Sequence, residues 1–214
     1  MENTKYSHKI IIVGIGPGNP KYLLPQAREV INTAKVLVGG KRAIDEYANA
    51  SQRLKIIKAD IEGVLSFIAD ELSASDVVVM VSGDPGYYSL LDAIRNKFPV
   101  QIISVIPGIS SLQLAFARLA LPWHDATLVS YHGRTPEIAD IAFSPHKILG
   151  MLTDSQNNSQ SIAKNLINNA GWLGKSTLYI CERLSYADEK ITATTLVAAA
   201  TAEPVKNCVL IVVA

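Results

Sequence analysis

Three glycine-containing segments and one short run of mixed polar residues are the parts of this chain whose types and spacing can do chemistry. The first, Gly14-Ile15-Gly16-Pro17-Gly18-Asn19, strips the backbone of side chains, so a ligand can approach it closely. As a dinucleotide fingerprint it is incomplete: Asn19 stands where the sixth-position glycine belongs, and Pro17 lacks an amide that could cradle phosphate. The acidic residue that would hold a nicotinamide ribose about 20 residues further on is also missing. There, Val36-Leu37-Val38 runs into Gly39-Gly40-Lys41-Arg42, and only Lys41 and Arg42 keep a phosphorylated dinucleotide open. The alternative for this segment is a tight strand-to-helix turn that binds nothing.

Ser82-Gly83-Asp84-Pro85-Gly86-Tyr87-Tyr88 follows a Val-rich run, which places it at the carboxyl end of a strand, the edge where parallel α/β sheets bind ligands. Asp84-Pro85 and Pro85-Gly86 are also ordinary turn chemistry, whereas a carboxylate there can accept bonds from a ribose or neutralise a cation. Ile106-Pro107-Gly108-Ile109-Ser110-Ser111 follows the next strand candidate and opens a helix; Ser110 or Ser111 can cap its free amides, or those amides can meet polar ligand atoms. Three such loops at one sheet edge make a floor for a sizeable ligand.

The polar run is Ser130-Tyr131-His132-Gly133-Arg134. His132 can exchange a proton near neutral pH, although a lone histidine is often a hydrogen-bonded structural group. No grouping of it with His124 or His146 has metal-ligand logic, so no protein-bound metal is expected. Cys181, in a Val- and Ile-rich strand candidate with no base beside it, reads as a buried strand residue rather than a nucleophile.

The elements that must position these residues follow from periodicity. Short apolar runs alternate with amphipathic stretches, the pattern of an α/β protein whose strands are covered by helices. Strands are expected at 9–14, 35–38, 54–57, 76–81 and 100–105, with helices near 25–33, 61–72, 87–97 and 109–120. After Leu121-Pro122-Trp123 the rhythm restarts, with strands near 126–130, 147–153, 176–181, 190–194 and 207–213 and a helix over 157–169 closed by Ala170-Gly171. The loop before residue 190 is too short for a helical crossover, which predicts an antiparallel hairpin. Two domains are expected, 1–121 and 122–214.

Apolar residues make up 49% of the chain and charged residues 18%, a globular composition, and a net charge of +1 offers no broad attraction to nucleic acid. Cys181 and Cys208 lack zinc spacing; with a polar N-terminus and only strand-length apolar runs, they predict a cytoplasmic protein without a membrane anchor.

Taken together, the three glycine segments, in this order, resemble the tetrapyrrole (corrin and porphyrin) methylases over most of the chain. Val38-Gly39-Gly40-Lys41-Arg42, Ser110-Ser111-Leu112-Gln113, Leu121-Pro122-Trp123 and Ser130-Tyr131-His132-Gly133-Arg134 look like the branch that methylates carbon 5 of precorrin-7. Cys181-Glu182-Arg183-Leu184-Ser185 and Asp188-Glu189-Lys190-Ile191 fit it too. Asn19 departs from the family's usual Asp, and Leu23-Leu24 from its usual Leu-Thr.

The resemblance implies two α/β domains with the methyl donor, S-adenosyl-L-methionine, in the cleft between them. It places that donor against Gly16, Pro17, Gly83, Asp84, Tyr87, Ser110 and Ser111 of the first domain, with Leu152 and Cys181 approaching from the second. The substrate would be a corrinoid precursor whose carboxylates need Arg donors, for which Arg42, Arg134 and Arg183 lie in suitable loops. His132 and Arg134 are the candidate catalytic residues, and Arg183 is equally readable as a solvated surface charge. A homodimer is also implied, as is a separate carbon-15 methyltransferase and decarboxylase, since the strands through Val213 leave no span for a further donor-binding domain. The rivals are a sister methylase acting on another precorrin, a modified protein residue or ribosomal RNA, and a non-catalytic tetrapyrrole-binding subunit.

Overall fold

The computed structural model describes residues 6–214. Each apolar run of the first half becomes a strand: β1 (Ile10–Gly14), β2 (Val36–Gly39), β3 (Arg53–Ile56), β4 (Val77–Val81) and β5 (Ile103–Ile106). They form one sheet in the order β3-β2-β4-β1-β5, every pairing parallel. Helices cover both faces, which is why β2 and β4 are buried along their whole length. On one face, α1 (Pro25–Thr33) and α2 (Lys41–Tyr47) set Ala27, Ile31, Ala43 and Ile44 against Leu37, Val78 and Met80. On the other, α3 (Ile61–Glu71) and α4 (Leu91–Lys97) set Val64, Leu65, Ile68 and Ile94 against Ile10, Ile12, Val36 and Val79.

Three local details depart from the sequence expectation. Helix α2 was not anticipated: it is seven residues long, buries only Ala43 and Ile44, and has no side-chain cap at Gly40. Helix α4 begins at Leu91 rather than at Tyr87, because Tyr88 takes a positive φ of 50° and the Ser89 hydroxyl accepts the Leu91 amide at 3.1 Å. Residues Val100–Ile102 form a single 3-10 turn after Pro99, so β5 starts at Ile103.

The second half also builds a five-stranded sheet: β6 (Thr127–Ser130), β7 (Ile148–Leu152), β8 (Thr177–Glu182), β9 (Lys190–Thr195) and β10 (Val209–Val213), in the order β6-β7-β10-β8-β9. Only β6 and β7 run parallel; β10 is antiparallel to β7 and β8, and β8 and β9 make the expected antiparallel hairpin. One face packs under α6 (Ile138–Ile141), α7 (Ser159–Asn169) and α8 (Leu196–Ala199), with Ile141, Ile162, Leu166 and Leu196 on Leu149, Met151, Leu178 and Leu210. Helix α7 starts in a capping box, in which the Asn158 side chain accepts from Gln160 and Ser161 amides and the Ser161 hydroxyl accepts from the Asn158 amide. It ends against Gly171, whose φ of 75° suits a left-handed cap.

The opposite face of this sheet carries α5 (Ser111–Arg118). A β-carbon on Gly150 of β7 would lie 3.0 Å from Phe116 and 3.1 Å from Leu112, so glycine there lets the helix settle onto the strand. The chain accordingly divides into compact units between Ser110 and Ser111, which groups α5 with the second unit, where the sequence reading had grouped it with the first.

Candidate functional site

The three glycine loops meet at the carboxyl edge of the first sheet. Gly83 and Gly16 exchange backbone hydrogen bonds, the Gly83 amide donating to the Gly16 carbonyl at 2.9 Å and the Gly16 amide to the Gly83 carbonyl at 3.3 Å. Both take positive φ, 77° at Gly16 and 70° at Gly83. The approach is close enough that a β-carbon on Gly14 would sit 2.6 Å from the Gly108 nitrogen, and one on Gly108 would overlap the Gly83 carbonyl oxygen. Glycine at 14 and 108 is therefore demanded by the loops' packing on one another, before any ligand is considered.

Asp84 locks the arrangement. One carboxylate oxygen accepts the Gly86 amide at 2.8 Å within its own turn, and the other accepts the Gly108 amide at 3.0 Å from the loop after β5. Ser110 is in the same cluster, its Cα 3.5 Å from the position of a β-carbon on Gly83. From α2, Arg42 donates to the Gly18 carbonyl at 3.3 Å and so ties that helix to the first loop. The Tyr87 hydroxyl is buried with no hydrogen-bond partner among the described residues, and burial pushes its pKa up. A buried phenol left unpaired is costly, so a ligand atom or a water would satisfy it.

In the second unit, the polar run after β6 is a loop pinned to the end of β7. The Tyr131 amide donates to Leu152 at 2.9 Å, the His132 ring Nδ1 lies 3.4 Å from the Thr153 carbonyl, and the Gly133 amide donates to Asp154 at 2.8 Å. The same carboxylate accepts the Gln156 amide at 2.8 Å and the Asn157 amide at 2.6 Å. These bonds, the Gly133 amide first, hold the Asp154 carboxyl down to about 2, well under the usual range. Tyr131 is buried, while His132 and Arg134 are exposed.

Leu152 and Cys181 belong to one row of the second sheet, since both pair with Val209 of β10, and that row is on the face that carries α5. Burial raises the Cys181 thiol to about 12 and the Cys208 thiol to about 11, so both are protonated at neutral pH and neither is a ready nucleophile. Arg183 follows β8 with a φ of 49°; its guanidinium donates to Asp188 at 2.7 Å and lies over the Tyr186 ring at 4.6 Å. It is already engaged within its own loop. Among the described residues, no cluster of three or more His, Cys, Asp and Glu stands ready for a metal ion, and no helix is long and apolar enough to cross a membrane.

Sequence reasoning assigned nothing to two groups that this geometry brings forward. Asp154 is one; its signal was Asp154-Ser155-Gln156-Asn157, an Asx turn directly before a capped helix. The other is Glu189, which accepts the Ser185 amide at 2.7 Å and Arg118 Nε at 2.5 Å, bracing the β8–β9 loop against α5.

The family described as Tetrapyrrole (Corrin/Porphyrin) Methylases matches residues 9–200, across both units. The chain belongs to this family. As a tetrapyrrole methylase it is a methyltransferase whose methyl donor is S-adenosylmethionine, and it stands among the enzymes of cobalamin biosynthesis that act on corrinoid precursors. It is 31% identical to the cobalt-precorrin-7 C(5)-methyltransferase of Salmonella typhimurium over 182 residues, 85% of this chain and 88% of that one. To the decarboxylating precorrin-6Y C(5,15)-methyltransferase of Sinorhizobium sp it is 28% identical, over 86% of this chain but 44% of that one. The precorrin-6Y methylase of Archaeoglobus fulgidus superposes with a TM-score of 0.72 at 25% identity, covering 97% of this chain and 98% of that one. The uroporphyrin-III C-methyltransferase of Thermus thermophilus, solved with S-adenosylhomocysteine, gives 0.73 at 22% identity, over 95% and 91% of the two chains, and shares the fold.

Proposed function

We propose that this methylase transfers one methyl group to carbon 5 of precorrin-7 or its cobalt form, without decarboxylation. The observation that carries the reading is the 31% identity to the Salmonella enzyme over 85% of the chain. The chain's own residues fit the donor: three loops with little side-chain cover, Ser110 beside them, and the unpaired buried phenol of Tyr87 offer polar contacts at one sheet edge. S-adenosylmethionine supplies an electrophilic methyl on a sulfonium.

In this reading the ring carbon forms the new C–C bond as the S–CH₃ bond breaks, and S-adenosylhomocysteine leaves with the electron pair. Catalysis then rests on holding the two reactants in line and excluding water. Asp84 contributes by keeping the donor loops in register. Arg134, and with it Arg42, presents guanidinium donors to the substrate's carboxylates. When His132 carries its proton on Nδ1, facing the Thr153 carbonyl at 3.4 Å, Nε2 is left to take up the proton that the ring releases.

Incubation of the purified chain with excess donor and precorrin-7, with and without cobalt, tests the reading. One S-adenosylhomocysteine per ring, a product heavier by one CH₂ group and no released carbon dioxide are expected. A doubly methylated, decarboxylated product would overturn it, and binding without S-adenosylhomocysteine would leave only a carrier. Arg134→Lys keeps the charge but loses the planar fork; it should raise the corrinoid KM while leaving S-adenosylhomocysteine affinity unchanged. An unaltered KM would remove Arg134 from the site.

A further inference from the structure

The loop after β6 departs from ordinary packing in one respect. Gly133 takes a φ of 66°, yet a β-carbon built on it meets nothing within 4 Å. The space beside its Cα is open, and the loop around it is held by hydrogen bonds as well as by the buried Tyr131. Three of these bonds run to residues just past β7. The Gly133 amide goes to Asp154 at 2.8 Å, the His132 ring to the Thr153 carbonyl at 3.4 Å, and the Asn157 side-chain amide to the Tyr131 carbonyl at 2.9 Å. Asn157 also donates to Asp154 at 3.3 Å, so the carboxylate orients the very group that grips Tyr131.

The platform under the loop is itself fixed. The buried Thr153 hydroxyl donates to the Cys208 carbonyl at 2.7 Å and accepts the Cys208 amide at 2.9 Å, tying the segment to the strand beside it. Asp154 meanwhile accepts four donors, three backbone amides and the Asn157 side chain. An ionised carboxylate, with acceptor sites on both oxygens, can do this; a carboxamide cannot, because its NH₂ would face a donor.

We propose that Asp154 is a positioning residue for methyl transfer, its carboxylate holding the loop of residues 131–134 in the conformation that presents His132 and Arg134 to the corrinoid. This rests on the assignment of that loop to the substrate made above. Asp154 acts through Gly133 and Asn157, and the adjacent Thr153 carbonyl faces His132 Nδ1.

The test uses the full chain with S-adenosylmethionine and cobalt-precorrin-7. Asp154→Asn should lower kcat/KM by about tenfold or more, the loss expected of a charge-assisted bond, while S-adenosylhomocysteine affinity by calorimetry changes by less than about twofold. In a chain already carrying His132→Ala and Arg134→Ala, adding Asp154→Asn should cause no further loss, since nothing remains for the loop to position. The ring nitrogen shifts of His132 should report the Nδ1-protonated tautomer in the unaltered protein and a mixture in Asp154→Asn. Full turnover in Asp154→Asn, with the His132 and Arg134 double variant slow, overturns this proposal alone. Full turnover in the double variant overturns the assignment of the loop, and this proposal with it. Should Asp154→Asn fail to fold, the unaltered protein still answers: slow exchange of the Gly133 amide, although the residue is exposed, supports the clamp, and exchange at the rate of a free amide overturns it.

Discussion

The two units use one device in different settings. In the first, Asp84 accepts an amide two residues ahead, at Gly86, and another from a distant glycine, Gly108. In the second, Asp154 accepts an amide two residues ahead, at Gln156, and another from a distant glycine, Gly133. The surroundings differ. Gly108 is wedged against Gly14 and Gly83, where an added β-carbon would meet backbone, while the space around Gly133 is open. The first clamp is thus backed by steric packing at the end of an all-parallel sheet. The second carries its loop by hydrogen bonding, at the parallel end of a mixed sheet. A site built the first way is rigid and intolerant; one built the second way leans on its carboxylate for part of its order.

The sharpest way to break this comparison is alanine at each glycine. Gly108→Ala forces a methyl into the Gly83 carbonyl, which belongs to backbone and cannot rotate away. A loss of about 3 kcal/mol is expected, read as a shift of the denaturation midpoint. Gly133→Ala meets only the left-handed φ, worth about 1 kcal/mol, and should lower corrinoid turnover more than stability. If the two variants unfold at the same denaturant concentration, the distinction between packed and hydrogen-bonded loops is wrong.

Asp84→Ala should fall between these. It orphans the Gly86 and Gly108 amides, a cost of about 1.5 to 3 kcal/mol for bonds to a charged group, with weaker S-adenosylhomocysteine binding because the loops lose register. Calorimetry and a melt on the same preparation check both halves. Weakened binding without destabilisation would mean that Asp84 meets the donor directly rather than through its loops.

The same contrast explains what could be read from the sequence. Helix α1 spans Pro25–Thr33 as expected, since a proline start and an amphipathic stripe are local signals. The glycine loops at the carboxyl edge of the first sheet were legible for a related reason: glycine and proline mark backbone geometry wherever they stand. Helix α2 was not, because two buried residues and an uncapped start leave almost no periodicity to detect. Asp154 was hidden for a deeper reason. Its partner Gly133 is 21 residues away, and the contact exists only because β6 and β7 pair in the register Thr127↔Leu149. The roles of Asp84 and Glu189 depend in the same way on loops meeting in space, and a motif records that such residues are present but not what they hold.

The smallest effect expected is an acid one, and it separates the two clamps by pH. The Asp154 carboxyl is held down to about 2, chiefly by the Gly133 amide. A carboxylate whose folded pKa lies below its unfolded value of about 3.9 stabilises the fold above that unfolded value, and the contribution fades as pH falls through the folded one. Gly133 amide protection should therefore be complete at pH 5 and lost progressively between about pH 4 and pH 2. Asp154 is only half-buried, so screening keeps the contribution to global stability slight and salt should diminish it. In Asp154→Asn the protection should be low and flat across the same range, because no proton is taken up there. A pH-dependent fall that persists in Asp154→Asn would assign the acid sensitivity to another carboxylate and leave the second loop no more dependent on its clamp than the first.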